Sequence, residues 1–183
     1  MFEGAQGLLL DQDRGHFPHV TRSNTGLHNV LILAEELHVG RLDVTYTTRC
    51  YLTRHGAGPM RHETSDPPYP GIIDQINIPN PYQGAMRFGL LDLDMLARSS
   101  AVDRGNAAPS SIEVVPSLAV TCLAQQGDAP ARFIQQGMDQ MTTAEELLER
   151  VTAMTRAATL YTAAGPTRQA VRQHRSQRGR AVA

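Results

Sequence analysis

The 183-residue sequence has 17 basic and 18 acidic residues and a formal net charge of −1, so no global field points to nucleic acid or a membrane surface. All 17 basic residues are arginine, which excludes a lysine nucleophile, a lysine Schiff base and the lysine of a phosphate-binding loop. A hydrophobic content of 41% fits one domain with a real core. No apolar run is long enough to span a bilayer. Two cysteines, Cys50 and Cys122, make no disulfide framework, and a reducing, cytoplasmic setting is expected.

In chain order, Phe2-Glu3 reads as the end of a buried strand that feeds a Gly-rich turn, Gly4 to Gly7. Leu27 to His38 has apolar residues at helical spacing (Leu27, Val30, Leu31, Ala34), with Gly40 as its stop. Leu42 to Thr53 is rich in Val, Tyr and Thr and predicts a strand. Gly56 to Pro81 holds six prolines and reads as loop. A helix is expected over Leu90 to Arg104, a buried parallel strand over Leu118 to Leu123 and an edge strand at Phe133-Ile134. Thr143-Ala-Glu-Glu146 is a capping-box pattern ahead of Leu147, Leu148, Val151 and Met154. A last strand is expected at Thr159 to Thr162, broken by Gly165-Pro166. Strands alternate with helices, which predicts an α/β fold around a partial, mostly parallel sheet. Residues 1–168 read as the domain. Residues 169–183, with four arginines and no acid, read as a disordered tail.

Several positions carry candidate chemistry. Gln6 offers a donor and an acceptor to a neutral ring edge. Thr21, Ser23, Asn24 and Thr25 precede the first helix, where such side chains cap it or meet a phosphate. Arg54-His55-Gly56-Ala57-Gly58-Pro59 ends a predicted strand, the place where open α/β sheets bind ligands. Asp11 and Asp13 read as a surface pair. His16 and His19 have metal-site spacing but no third ligand, so no metal is assigned there. The arginine tail has no aromatic platform, and nucleic acid is not expected as a partner.

The first 26 residues resemble the adenylosuccinate synthetase family, which carries Glu-Gly-Ala-Gln-Gly, Leu-Leu-Asp and Tyr-Pro-x-Val-Thr-x-Ser-Asn; here these are Glu3 to Gly7, Leu9 to Asp11 and Phe17 to Asn24. Further matches follow in order. Tyr51 to Pro59 with Glu63 is similar to Tyr-x-Thr-Arg-Val-Gly-x-Gly-Pro and its Thr-Glu, Gly84 to Asp92 to an Arg-rich loop before Gly-Trp-Leu-Asp, and Gly165 to Arg168 to Gly-Pro-x-Arg. The resemblance implies the C-terminal part of an adenylosuccinate synthetase-like, P-loop NTPase-related fold. It also implies a ligase that joins L-aspartate to a purine nucleotide, IMP, using GTP and Mg²⁺. Gln6 and Thr21, with Asn24, would hold the purine nucleotide and its 5′-phosphate. His55 and Gly56 would lie by its sugar, and Arg87 would contact an anion. Gly165 and the Cys122 position would meet the nucleoside triphosphate.

Departures qualify that implication. Thr121-Cys122-Leu123-Ala124 stands where the family has Thr-Lys-Leu-Asp, so the guanine-reading Lys and Asp are replaced and ATP becomes an alternative to GTP. His55 replaces an apolar residue, and Arg87 alone stands for a run of arginines. These changes also fit the phage-type relative that joins aspartate to dGMP. The family's phosphate loop, general base, general acid and Mg²⁺ ligands belong to a half with no counterpart in this sequence. The chain is therefore expected to be a fragment that is inactive alone, acting as a homodimer or with a complementing N-terminal half. The alternative is a non-catalytic nucleotide-binding or partner-binding remnant.

Overall fold

The computed structural model describes residues 1–4, 6–73 and 77–175. Met1 to Glu3 form no strand and Phe2 is exposed, so the strand expected to feed the Gly-rich turn is not built from these residues. The expected helix is α1 (His28–Glu36), whose buried positions Leu31 and Ala34 face the core. It stops at His38 rather than Gly40. His38 takes a left-handed φ of 53°, and the Val39 amide donates back to the Ala34 carbonyl at 2.8 Å, a Schellman closure.

The predicted 42–53 strand divides in two. Strand β1 (Arg41–Arg49) ends before the buried Cys50-Tyr51, and β2 (Leu52–His55) continues into a different sheet. β2 pairs antiparallel with β4 (Met86–Gly89), which also pairs with the two-residue β3 (Glu63–Thr64). β5 (Leu91–Asp92) leads into α2 (Leu93–Arg104), and the Asp92 carboxylate caps that helix by accepting from the Met95 amide at 2.9 Å. β6 (Glu113–Thr121), α3 (Leu123–Gln126), β7 (Ala131–Gln135), β8 (Met138–Thr142), α4 (Ala144–Thr155) and β9 (Thr159–Ala163) follow. Phe133-Ile134 is not an edge. β7 lies between β5 and β8, and Phe133 is fully buried. Of the capping box, the Thr143 half forms, with Oγ1 accepting from the Glu146 amide at 3.2 Å, while the Glu146 carboxylate accepts from Thr142 and Arg150.

β9 is not the last strand. Val171–Arg175 forms β10, antiparallel to β9, within the stretch whose composition suggested an unstructured tail; residues 176–183 of that stretch lie outside the described residues. The largest sheet runs β1-β6-β9-β10, parallel except at β10. The architecture is thus α/β, with mixed sheets and flanking helices. One core gathers Tyr69, Leu93, Leu118, Val120, Phe133, Leu147 and Val151 between α4, α2 and the C-terminal halves of the strands. A second joins Leu27, Leu31 and Ala34 of the α1 region to Ala107 and Ile112, over Leu42, Val44 and Val114. Burial at roughly 25 cal/mol per Å² of apolar surface is what holds these layers together.

Candidate functional site

The N-terminal segment has little secondary structure, and one carboxylate organises it. Gln6 is exposed with φ at 62°, and Gly7 follows with φ at 115°. Asp11 is buried, against its reading as a surface acid. Its oxygens accept from the Thr25 amide at 2.7 Å and the Asp13 amide at 3.0 Å, which ties the 7–15 turn to the entry of α1. Burial alone would raise the Asp11 pKa. The Thr25 and Asp13 amides, the Arg14 charge and Asn24 outweigh it, and the carboxyl is held below its ordinary value. The weave continues with the Thr21 amide on the Leu10 carbonyl at 2.7 Å and the Thr25 hydroxyl on the Gly7 carbonyl at 2.9 Å. Asn24 donates to Asp13 at 2.6 Å. Thr21 and Asn24 therefore belong to one knitted loop, and the exposed Gln6 directly precedes Gly7, whose carbonyl is part of it.

A second buried carboxylate, which the sequence did not single out, anchors that loop to the domain. Asp103, near the end of α2, is 1% exposed. It accepts from the Leu27 amide at 3.0 Å, the Tyr46 hydroxyl at 2.9 Å, Arg14 Nη1 at 3.3 Å and Asn106 at 3.4 Å. Gly26 is needed beside it, because a Cβ there would overlap Asp103 Oδ1. The signal was an acid in the last turn of a helix, which one sequence does not separate from a solvated charge.

The loop after β2 meets this segment through Arg54. Its guanidinium donates to the Ala57 carbonyl at 2.9 Å and to the His19 carbonyl at 3.0 Å, so the 54–58 loop is fastened to residues 16–21. Burial and the nearby Arg87 charge pull the Arg54 pKa below its ordinary value. Gly58, at φ 105°, closes the approach, since a Cβ there would lie 2.6 Å from His19 Cβ. His55 sits on this loop with Nε2 3.4 Å from the Gly84 carbonyl. Arg87 is engaged inside the protein. It forks onto Glu63, with Nε at 2.7 Å, and its Nη1 donates to the Gly56 and Gly58 carbonyls at 3.2 and 2.8 Å. The Arg87 hydrogen bonds hold the Glu63 pKa below its usual range. Glu63, the acid after Gly-x-Gly-Pro, thus partners Arg87, and the pair shapes the loop carrying His55 and Gly56.

Cys122 and Gly165 lie elsewhere, at the carboxyl edge of the largest sheet. β1, β6 and β9 run parallel and end at Arg49, Thr121 and Ala163, so the turns after them share one edge. Cys122 caps α3 in a left-handed conformation, φ 65°. Around it are Thr121, whose hydroxyl donates to the Thr48 carbonyl at 3.1 Å, and Tyr51, which bonds Gln125. Arg49 stands 5.9 Å over the Tyr51 ring. Burial, then the Cys122 thiol beside it, pushes the Tyr51 hydroxyl up to about 12.

Among the described residues no group of three or more His, Cys, Asp or Glu is placed to hold a metal ion. Asp11 and Asp13 both accept from amide groups of their own loop. A cleft of about 560 Å³ opens between Gln126–Pro130 and Met141–Glu145, and none of the candidate residues lines it. No helix among the described residues is long and apolar enough to cross a membrane.

Comparison with known proteins gives a consistent picture. A family model described as adenylosuccinate synthetase matches residues 1–107. An adenylosuccinate synthetase of Thioalkalivibrio sulfidiphilus is 33% identical over 159 residues, covering 82% of this chain and 36% of that protein. Adenylosuccinate synthetase 1 of Cupriavidus pinatubonensis is 42% identical over 79 residues, 43% of this chain and 18% of the relative. Among solved structures, the fully ligated adenylosuccinate synthetase of Plasmodium falciparum superposes with a TM-score of 0.63 at 18% identity, over 92% of this chain and 48% of that one. The last likeness concerns the fold. The chain spans about a third of the length of the Thioalkalivibrio relative.

Proposed function

The chain belongs to the adenylosuccinate synthetase family, and from that premise we propose that it supplies the nucleotide-holding part of a ligase that joins L-aspartate to a purine nucleotide, IMP or dGMP. Gln6 reads the purine edge, Thr21 and Asn24 take the 5′-phosphate, and the His55-Gly56 loop lies along the sugar. Cys122 and Gly165 flank the base of the nucleoside triphosphate, GTP or ATP, at the sheet's carboxyl edge. Arg87 acts here by positioning the 56–58 loop, and it reaches an anion only if that loop rearranges. The observation that carries this reading is Arg54, whose guanidinium joins two segments distant in sequence into one surface.

Phosphoryl transfer depends on positioning and on charge stabilisation around the phosphates. This sequence has no G-x-x-x-x-G-K-[ST]. The 183 residues alone are therefore proposed to bind purine nucleotide without completing the ligation. Aspartate and Mg²⁺ would engage only where the remaining machinery of a synthetase is present. Association, with a second copy or a complementing portion of a synthetase, would use the apolar side chains exposed on and just after α1: Ile32, Leu33 and Leu37. The second reading, a non-catalytic nucleotide-binding remnant, is favoured by Arg87, whose guanidinium is occupied by Glu63 and two carbonyls.

Calorimetric titration with IMP and dGMP, repeated with Gln6→Ala, tests the proposal. Saturable binding weakened about tenfold by the substitution, on the order of 1.4 kcal/mol, supports it and identifies the base. No binding by a folded chain would leave the family name describing ancestry only. Formation of adenylosuccinate by the isolated chain from IMP, aspartate and a triphosphate would overturn the claim that it is inactive alone.

A further inference from the structure

We propose that Cys50 and Cys122 are a disulfide-forming pair that links the carboxyl ends of β1 and β6. The two strands are in parallel register up to Arg49 and Thr121, so the next position of the register is Cys50 opposite Cys122. The ladder continues to that point, because the Cys50 amide donates to the Thr121 carbonyl at 3.0 Å. Cys50 Sγ lies 3.4 Å from the Cys122 carbonyl oxygen, so its sulfur already points at the partner residue. Adjacent strands stand about 4.8 Å apart, within the roughly 4.4–6.8 Å Cα separation that a disulfide bridges. The link needs the side chain of the left-handed Cys122 to turn toward Cys50.

The two thiols differ in access, and that sets the order of events. Cys122 is half-buried, whereas Cys50 is fully buried, and burial pushes its thiol up to about 12. With a small external disulfide such as oxidised glutathione, the Cys122 thiolate attacks one glutathione sulfur and the other leaves as a thiolate. Cys50, after losing its proton, attacks the Cys122 sulfur and expels the second glutathione. One S–S bond breaks and one forms. Two cysteine sulfurs are oxidised, two glutathione sulfurs are reduced, and the two thiol protons end on the departing glutathiones. The second step is the slow one, because Cys50 is seldom ionised at neutral pH.

Closure would hold the Cys122–Gln126 turn against β1 and disturb the Tyr51–Gln125 bond. If the base-side reading under Proposed function is right, ATP or GTP binding should then weaken. That consequence rests on the reading, whereas the disulfide does not.

The test treats the purified full chain with oxidised glutathione at about pH 8.5, where more thiol is ionised, followed by acid quenching, non-reducing trypsin digestion and mass spectrometry. The expected product is a single species linking peptides 50–54 and 105–132 within one chain, with both thiols lost and both restored by dithiothreitol. Cys50→Ala should stop at a stable glutathione adduct on Cys122. Cys122→Ser should leave Cys50 unmodified in the folded chain. A wild-type product that stays as the Cys122 adduct with Cys50 free, a bond only between chains, or two unreacted thiols would each overturn the pairing. Intact triphosphate binding by a cleanly bridged chain would sink the base-side reading and leave the pair standing.

Discussion

Replacing Asp103 with Ala should destabilise the domain by an amount that can be built from its partners. The substitution leaves the buried Leu27 amide and the half-buried Tyr46 hydroxyl without the acceptor they share. A buried donor stranded in this way costs roughly 1–3 kcal/mol. The Arg14 bridge, whose side chain is 31% exposed, adds at most about 1 kcal/mol. The sum, roughly 2–7 kcal/mol, is a large fraction of the roughly 5–15 kcal/mol of stability that single domains possess. Asp103→Asn keeps one accepting oxygen but turns an amide toward a donor, and about 2 kcal/mol is expected. Tyr46→Phe leaves the carboxylate three donors and should cost about 1 kcal/mol. Urea unfolding followed by far-ultraviolet circular dichroism gives all three values. The order Ala, Asn, Phe is the signature, and IMP or dGMP affinity should fall with the Ala variant because the loop bearing Thr21 and Asn24 loses its anchor. A cost below about 1 kcal/mol for Asp103→Ala would mean that the hub is not structural.

Three further outcomes follow from the same geometry. Asp11 has a folded pKa below its unfolded value of about 3.9, so its contribution is fully present above that value and is lost as pH falls through the lower folded one. An unfolding series from pH 7 down to pH 2 should therefore fall away in the acid limb, and Asp11→Asn should flatten that limb; an unchanged limb would refute the linkage. Gly58→Ala should cost roughly 1–3 kcal/mol from its positive φ and from overlap with Arg54 and His19, and it should weaken nucleotide binding by separating the two loops. Full affinity in that variant, read by calorimetry, would show that the 54–58 loop takes no part. Phe133→Ala, deep in the main core, should lower stability by about 3–5 kcal/mol while the folded fraction binds nucleotide normally; a selective loss of binding would point to a role for β7 that its position does not suggest.

Local chemistry alone determined a good deal of this protein. The 3.6-residue spacing of Leu27, Leu31 and Ala34 made α1 legible, and Thr143 with Glu146 set the start of α4, because both signals act within a turn or two of chain. The ordered motifs from Glu3 to Arg168 were likewise readable, and the family followed from them. Tertiary structure decided what depends on partners far along the chain. Asp11 and Asp103 look like any surface acids until the fold brings the Thr25 and Leu27 amides to them. Arg87 reads as a free anion contact until Glu63 and two loop carbonyls occupy it. Phe133-Ile134 gives no sign of lying between two other strands, and the break at Cys50-Tyr51 divides one apolar run between two sheets. Spacing along the chain encodes which face of an element is apolar. Which charge is desolvated, and by whom, is settled only when the layers close.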